Sequence, residues 1–152
     1  MTRRTIFITA GLLLALIVFS TASAAPKTNI HIEVMESFGG SADPFFATGP
    51  AVDDGLICAS GTVDDTERII SGPPAGDFVR ILAYKQFYCD AGGGFQARLM
   101  VNLDLSSGET TANWVIYGGS GDYAGIHGNG KLIGIPIVQG LSILDVYDGT
   151  VR

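Results

Sequence analysis

Residues Trp114–Gly130 read WVIYGGSGDYAGIHGNG, and this stretch narrows the fold more than any other. A short aromatic and β-branched run, Trp114 to Tyr117, ends at two glycines. A tight turn carrying Tyr123 follows, and the chain leaves through His127-Gly128-Asn129-Gly130 into Lys131-Leu132-Ile133. Glycines at this density supply positive φ or close backbone approach, not side-chain chemistry. Gly119, Gly121, Gly125, Gly128 and Gly130, with Tyr123, are therefore structural turn residues. The segment reads as strand, compact turn, strand.

Gly119-Ser120-Gly121-Asp122-Tyr123-Ala124 also matches the short phosphate-loop pattern G-x-G-x-x-A. A dinucleotide site needs a helix to open at once, so that its N-terminus meets the pyrophosphate. Gly125, Gly128 and Gly130 break any such helix. No βαβ unit surrounds the motif, so nucleotide binding is set aside.

The run GGSGDYAGIHGNGKL resembles the glycine-rich turn of the allene oxide cyclase-like and dirigent-like barrels. In those proteins a strand enters Gly-Gly-Thr/Ser-Gly-x-aromatic, turns on small residues and exits through Gly-x-Gly or a similar step. The resemblance implies an all-β fold: a closed, mainly antiparallel barrel of about eight strands, lipocalin-like in shape. It is specific over about fifteen residues. No position matches the catalytic residues of the plant cyclases, so none is carried over. Plant relatives of this barrel are often oligomers, which makes a homo-oligomer compatible with the resemblance.

The N-terminus bears on destination. Arg3 and Arg4 precede an almost unbroken apolar run, Ile6 to Phe19, and then Ser20-Thr21-Ala22-Ser23-Ala24-Ala25. This is the layout of a secretory signal peptide, with Ala22-x-Ala24 suited to cleavage before Ala25. The expectation is residues 1–24 as signal and 25–152 as one barrel domain, secreted or periplasmic, with no membrane attachment after cleavage. The apolar run is short for a spanning helix, although an uncleaved anchor is the alternative. Removing 1–24 takes away Arg3 and Arg4 and no acids. Seven basic residues then face fifteen acidic ones, a formal charge of −8 against −6 for the whole chain. Such a surface repels phosphate backbones and disfavours nucleic acid as a partner.

Strands are expected nearly throughout the remainder. Ile30, Ile32 and Val34 alternate with His31, Glu33 and Met35. Ser37 to Gly55, rich in Gly, Pro and Asp, reads as a long loop holding the aromatic pair Phe45-Phe46. Leu56 to Val63 reads as the second strand, ending at Asp64-Asp65. Asp77 to Asp90 is the third. Phe95 to Leu105 has the cleanest alternation, with Phe95, Ala97, Leu99, Val101, Leu103 and Leu105 on one face. One face must be buried and the other mostly wet. Thr110 to Tyr117, Lys131 to Val138 and Leu141 to Val151 complete the set. Pro136 marks a sheet edge or a bend.

Cys58 and Cys89 are the only cysteines. In an exported protein a lone pair reads as a disulfide, here tying the second strand to the third. A thiol activated by Lys85, which shares a strand face with Cys89, is the weaker alternative. His31 and His127 are the only histidines and lack zinc-ligand spacing, so no metal or other cofactor is expected. The acidic groups Asp53-Asp54 and Asp64-Asp65 read as solvated loop charges rather than calcium ligands. No nucleophile elbow is present.

The strand from Asp77 to Asp90 is ambiguous. Arg80, Leu82, Tyr84, Gln86 and Tyr88 share one face, and Val79, Ile81, Ala83, Lys85, Phe87 and Cys89 the other. In one reading the second face is core and Lys85 emerges near the rim on its packed stem. In the other, Arg80, Tyr84 and Tyr88 line a ligand cavity whose wall includes Trp114. Three functions stay open. The first is noncatalytic binding of an apolar or aromatic small molecule. The second is an isomerase or cyclase of allene oxide cyclase type, which a buried carboxylate would strengthen, with Glu33 and Asp104 as candidates on polar faces. The third is an envelope interaction module acting through an exposed Phe45-Phe46 loop. Fold alone does not choose among them.

Overall fold

The structure is a computed structural model that describes residues 25–40, 42–71 and 76–152. The expected signal segment, 1–24, lies outside the described residues. Eight antiparallel strands follow one another around a closed barrel: β1 (Thr28–Ser37), β2 (Asp43–Thr48), β3 (Ser60–Ser71), β4 (Phe78–Cys89), β5 (Gly94–Asp104), β6 (Thr110–Ser120), β7 (Gly128–Val138) and β8 (Ser142–Val151). Sequential neighbours pair, and β8 closes on β1 from Thr28↔Val151 to Ser37↔Ser142. Closure removes the exposed sheet edges that so many strands would otherwise present.

Period 2 sets the inside. Ile30, Ile32 and Val34 of β1, Phe95, Ala97 and Leu99 of β5, and Trp114 and Ile116 of β6 are buried. Gln96, Arg98 and Met100 on the opposite face of β5 are exposed. Between β6 and β7 the chain makes a 3-10 turn at Gly121–Tyr123, with Gly119 in β6 and Gly128 and Gly130 in β7. Gly121 and Gly125 have φ of 62° and 91°. Gly130 serves close approach: a Cβ there would sit 2.6 Å from Cζ2 of Trp114. The exit glycine thus makes room for the largest core side chain, whose Nε1 donates to the Lys131 carbonyl at 2.9 Å.

Two expectations about the N-terminal half are corrected. The supposed loop from Ser37 to Gly55 contains β2 and a one-turn helix, α1 (Pro50–Asp53). Phe45 is fully buried and Phe46 is 63 % exposed, the alternation of a strand rather than an aromatic loop. Phe45 meets Phe87 edge-on at 5.2 Å. Pro44 lies beyond the last β1–β2 pair, Val34↔Phe45, so its missing N–H costs no ladder bond there. The second expected strand also moves. It runs from Ser60 to Ser71, through the acidic cluster, with a bulge between Asp65 and Glu67.

Cys58 and Cys89 are bonded, with an S–S distance of 2.08 Å. The bridge ties the segment leading into β3 to the end of β4, so no thiol is free to react. Pro136 sits beyond the β6–β7 ladder, which ends at Gly134, and beside a register shift between Pro136 and Val138.

Candidate functional site

The two ends of the barrel differ. Where β4 and β6 end, α1, the disulfide and the stacked rings of Phe87 and Phe95 at 4.4 Å fill the interior. At the other end a cavity of about 340 Å³ opens. Its wall is apolar: Ile81, Ala83, Leu99, Val101, Leu132 and Ile143. Phe38, Leu105, Gln139 and Gly140 stand around its mouth. Exposed apolar residues continue past the mouth at Ile70, Phe78, Val138 and Leu141.

A group of charged side chains interrupts this apolar wall. Glu36 continues the inward stripe of Ile30, Ile32 and Val34 and is 5 % exposed. Lys85, between Ala83 and Phe87 on β4, is also 5 % exposed, and Asp145, between Ile143 and Tyr147 on β8, is 6 % exposed. Asp65 and Arg68 come from β3. Asp65 is level with Lys85 and shares the inward parity of Val63; Arg68 is level with Ala83, because the bulge at Thr66 resets the strand's parity and turns it inward. The Thr66 hydroxyl holds the bulge by donating to the Tyr84 carbonyl at 3.1 Å.

Lys85 donates to a Glu36 carboxylate oxygen and lies 2.9 Å from Oδ1 of Asp65. Arg68 pairs with the remaining oxygen of each of the same two carboxylates and stacks over the Phe38 ring at 5.9 Å. This lattice joins β1 to β3 and β4 where short β2 stops below the mouth. Burial works against the Lys85 charge, but Glu36 and Asp65 outweigh it and hold its pKa above the ordinary lysine value. Asp145 has no such partner. Burial pushes its pKa up to about 7; Lys85 pulls it down, while the Glu36 charge and a hydrogen bond with Glu36 push it up. The Tyr147 hydroxyl is buried without a hydrogen-bond partner, and burial and the Asp145 charge raise its pKa well above the usual tyrosine value.

The expected ligand residues lie elsewhere. Arg80, Tyr84 and Tyr88 stand on the outer face of β4, because the inward parity belongs to Ala83, Lys85 and Phe87. Tyr84 packs edge-on against Tyr117 at 6.3 Å, outside the barrel. Trp114 is inside but belongs to the filled core and is not in the cavity wall. Lys85 does not emerge at the rim; it is buried in its ion pairs. The buried carboxylates are Glu36 and Asp145, not Glu33 or Asp104. One signal was available for all three buried charges: each is a charged residue in register with an apolar stripe.

Comparison with family models, curated proteins and solved structures returns no match. The site's own chemistry carries the functional reading.

Proposed function

We propose that this chain is an exported barrel that binds a mainly apolar small molecule in the cavity at its open end. The observation that carries this is an apolar recess of about 340 Å³ with a few buried polar groups. That size and lining suit a small-molecule site. The signal-like residues 1–24 and the Cys58–Cys89 bridge support export, since disulfides persist in oxidising compartments. The likeness of the glycine-rich turn to the allene oxide cyclase-like barrels belongs to the same reading.

Native mass spectrometry of the purified chain tests it. A co-purifying molecule should be released on denaturation. A cavity-filling Leu99→Trp variant should lose it, while Tyr84→Ala on the outer face keeps it. Retention in Leu99→Trp would place the ligand elsewhere.

One observation favours catalysis as a second reading. A carboxyl whose pKa burial raises to about 7 in a cavity wall suits general acid–base chemistry, and Asp145 is such a group. Under that reading the molecule recovered from Asp145→Asn differs from the one recovered from the parent chain by a shifted double bond or a new ring. Recovery of the same compound from both would leave binding alone.

A further inference from the structure

We infer that the ligand of this cavity carries one positive charge on an otherwise apolar body, and that Asp145 is its counter-ion. This rests on the binding reading above. Glu36, Asp65 and Asp145 supply three carboxyl groups; Lys85 and Arg68 supply two cations. Both cations are already taken, each bridging Glu36 and Asp65. Among the described residues Asp145 enters no ion pair, yet it lies in the cavity wall.

The neighbours of Asp145 offer nothing better. From β1 comes Val34, its direct partner, and, one inward step further along, Glu36, which accepts a hydrogen bond from protonated Asp145 but is a like charge once Asp145 ionises. From β7 comes Gly134, directly paired with Asp145. A Cβ at Gly134 would stand 2.5 Å from Asp145 Oδ1 and 2.1 Å from Thr110 Oγ1, so the absence of a side chain leaves the carboxyl its space. From β6 the nearby polar group is the neutral Thr110 hydroxyl. From β3 and β4, Arg68 and Lys85 are committed and Asp65 is again a like charge. On β8 itself, the next inward residue is Tyr147, whose hydroxyl has no partner.

A buried carboxylate without a counter-ion is unfavourable and takes up a proton instead. A protonated amine entering the cavity supplies the missing charge and lets Asp145 ionise. An entering carboxylate would meet Asp145 and Glu36. The acidic chain, formally −6, also raises the local concentration of cations rather than anions. The apolar wall takes the rest of the molecule, with the exposed apolar rim beyond it. The ligand class is therefore an alkyl or aryl amine, head inward and tail toward the mouth.

Isothermal titration calorimetry of the purified chain with octylammonium, octanol and octanoate separates the possibilities, because the tail is held constant. Octylammonium should bind about tenfold or more tightly than octanol, the scale of a charge-assisted buried hydrogen bond, and octanoate weakest. In buffers of differing ionisation enthalpy at pH 6, octylammonium binding should release about one proton, from Asp145, and octanol none. In Asp145→Asn the gap between octylammonium and octanol should close to within about twofold; a merely structural role would weaken both probes together. Equal binding of the two in the parent chain, or a preference that survives Asp145→Asn, overturns the inference and leaves the binding reading standing. If none of the three probes binds, both fall. The proton count is read on the parent chain and so stands even if the variant folds poorly.

Discussion

The two ends of this barrel solve the problem of an eight-stranded interior in opposite ways. At the closed end Phe45, Phe87, Phe95, Trp114 and Tyr147 pack ring against ring, and the disulfide and α1 cover them. At the open end the inward positions carry smaller aliphatic side chains and a charged lattice, and space remains. The same strands serve both. The difference lies in what stands at alternate positions: Phe87 gives way to Lys85 and Ala83 along β4, and Tyr147 to Asp145 along β8. The aromatic packing lies at one end, and the cavity lies at the other. Interiors of native density resist change.

The largest loss of stability is expected from the closed end. Trp114→Ala should cost about 3–5 kcal/mol in urea denaturation, through the lost ring and the void left beside Gly130. The largest effect at the open end is expected from Lys85→Met, about 3–4 kcal/mol, because it leaves Glu36 and Asp65 buried with Arg68 alone. If Lys85→Met proved neutral, the lattice would not be what holds β1 to β3 across the gap above β2. Replacing both cysteines with serine should remove roughly 3 kcal/mol by freeing the loop in the unfolded chain, without altering cavity binding.

Asp145→Asn sharpens the contrast through pH. The folded pKa of Asp145 stands at about 7, above the ordinary value of 3.8. Between those values the folded chain holds a proton that the unfolded chain has released. This group therefore makes stability fall as pH rises through that window, and the loss is complete above 7. Denaturation midpoints of Asp145→Asn should be flatter from pH 4 to 7, and at pH 8 the variant should be more stable by about 1–3 kcal/mol. A variant less stable than the parent at pH 8 would mean that Asp145 is already well paired. The smallest effects belong to the outer face: Arg80→Ala and Tyr88→Ala should each stay within about 0.5 kcal/mol.

Most of the barrel was legible because its strands alternate cleanly. β5 carries Phe95, Ala97 and Leu99 inward without interruption, and the glycines from Gly119 to Gly130 mark one turn and its exit. β2 was hidden because its six residues, Asp43–Thr48, offer only Phe45 and Ala47 as buried positions. The cavity was harder to read. Its charged groups come from β1, β3, β4 and β8, and no local spacing joins those strands. The bulge at Thr66 also reverses the parity of β3, so Arg68 cannot be placed inward by counting from Val63. The aromatics of β4, Tyr84 and Tyr88, have the composition of a ligand site but the outward parity of their strand. The more telling feature was a charge within an apolar stripe, as at Glu36, Lys85 and Asp145.

Methyl-resolved NMR during titration with octanol tests the division of labour between the two ends most directly. The account predicts shifts at the methyls of Leu99, Leu132 and Ile143, with those of Ile57 and Ile116 at the closed end unmoved. Shifts confined to the outer-face residues Ile133 and Ile135, or to Ile57 and Ile116, would contradict it.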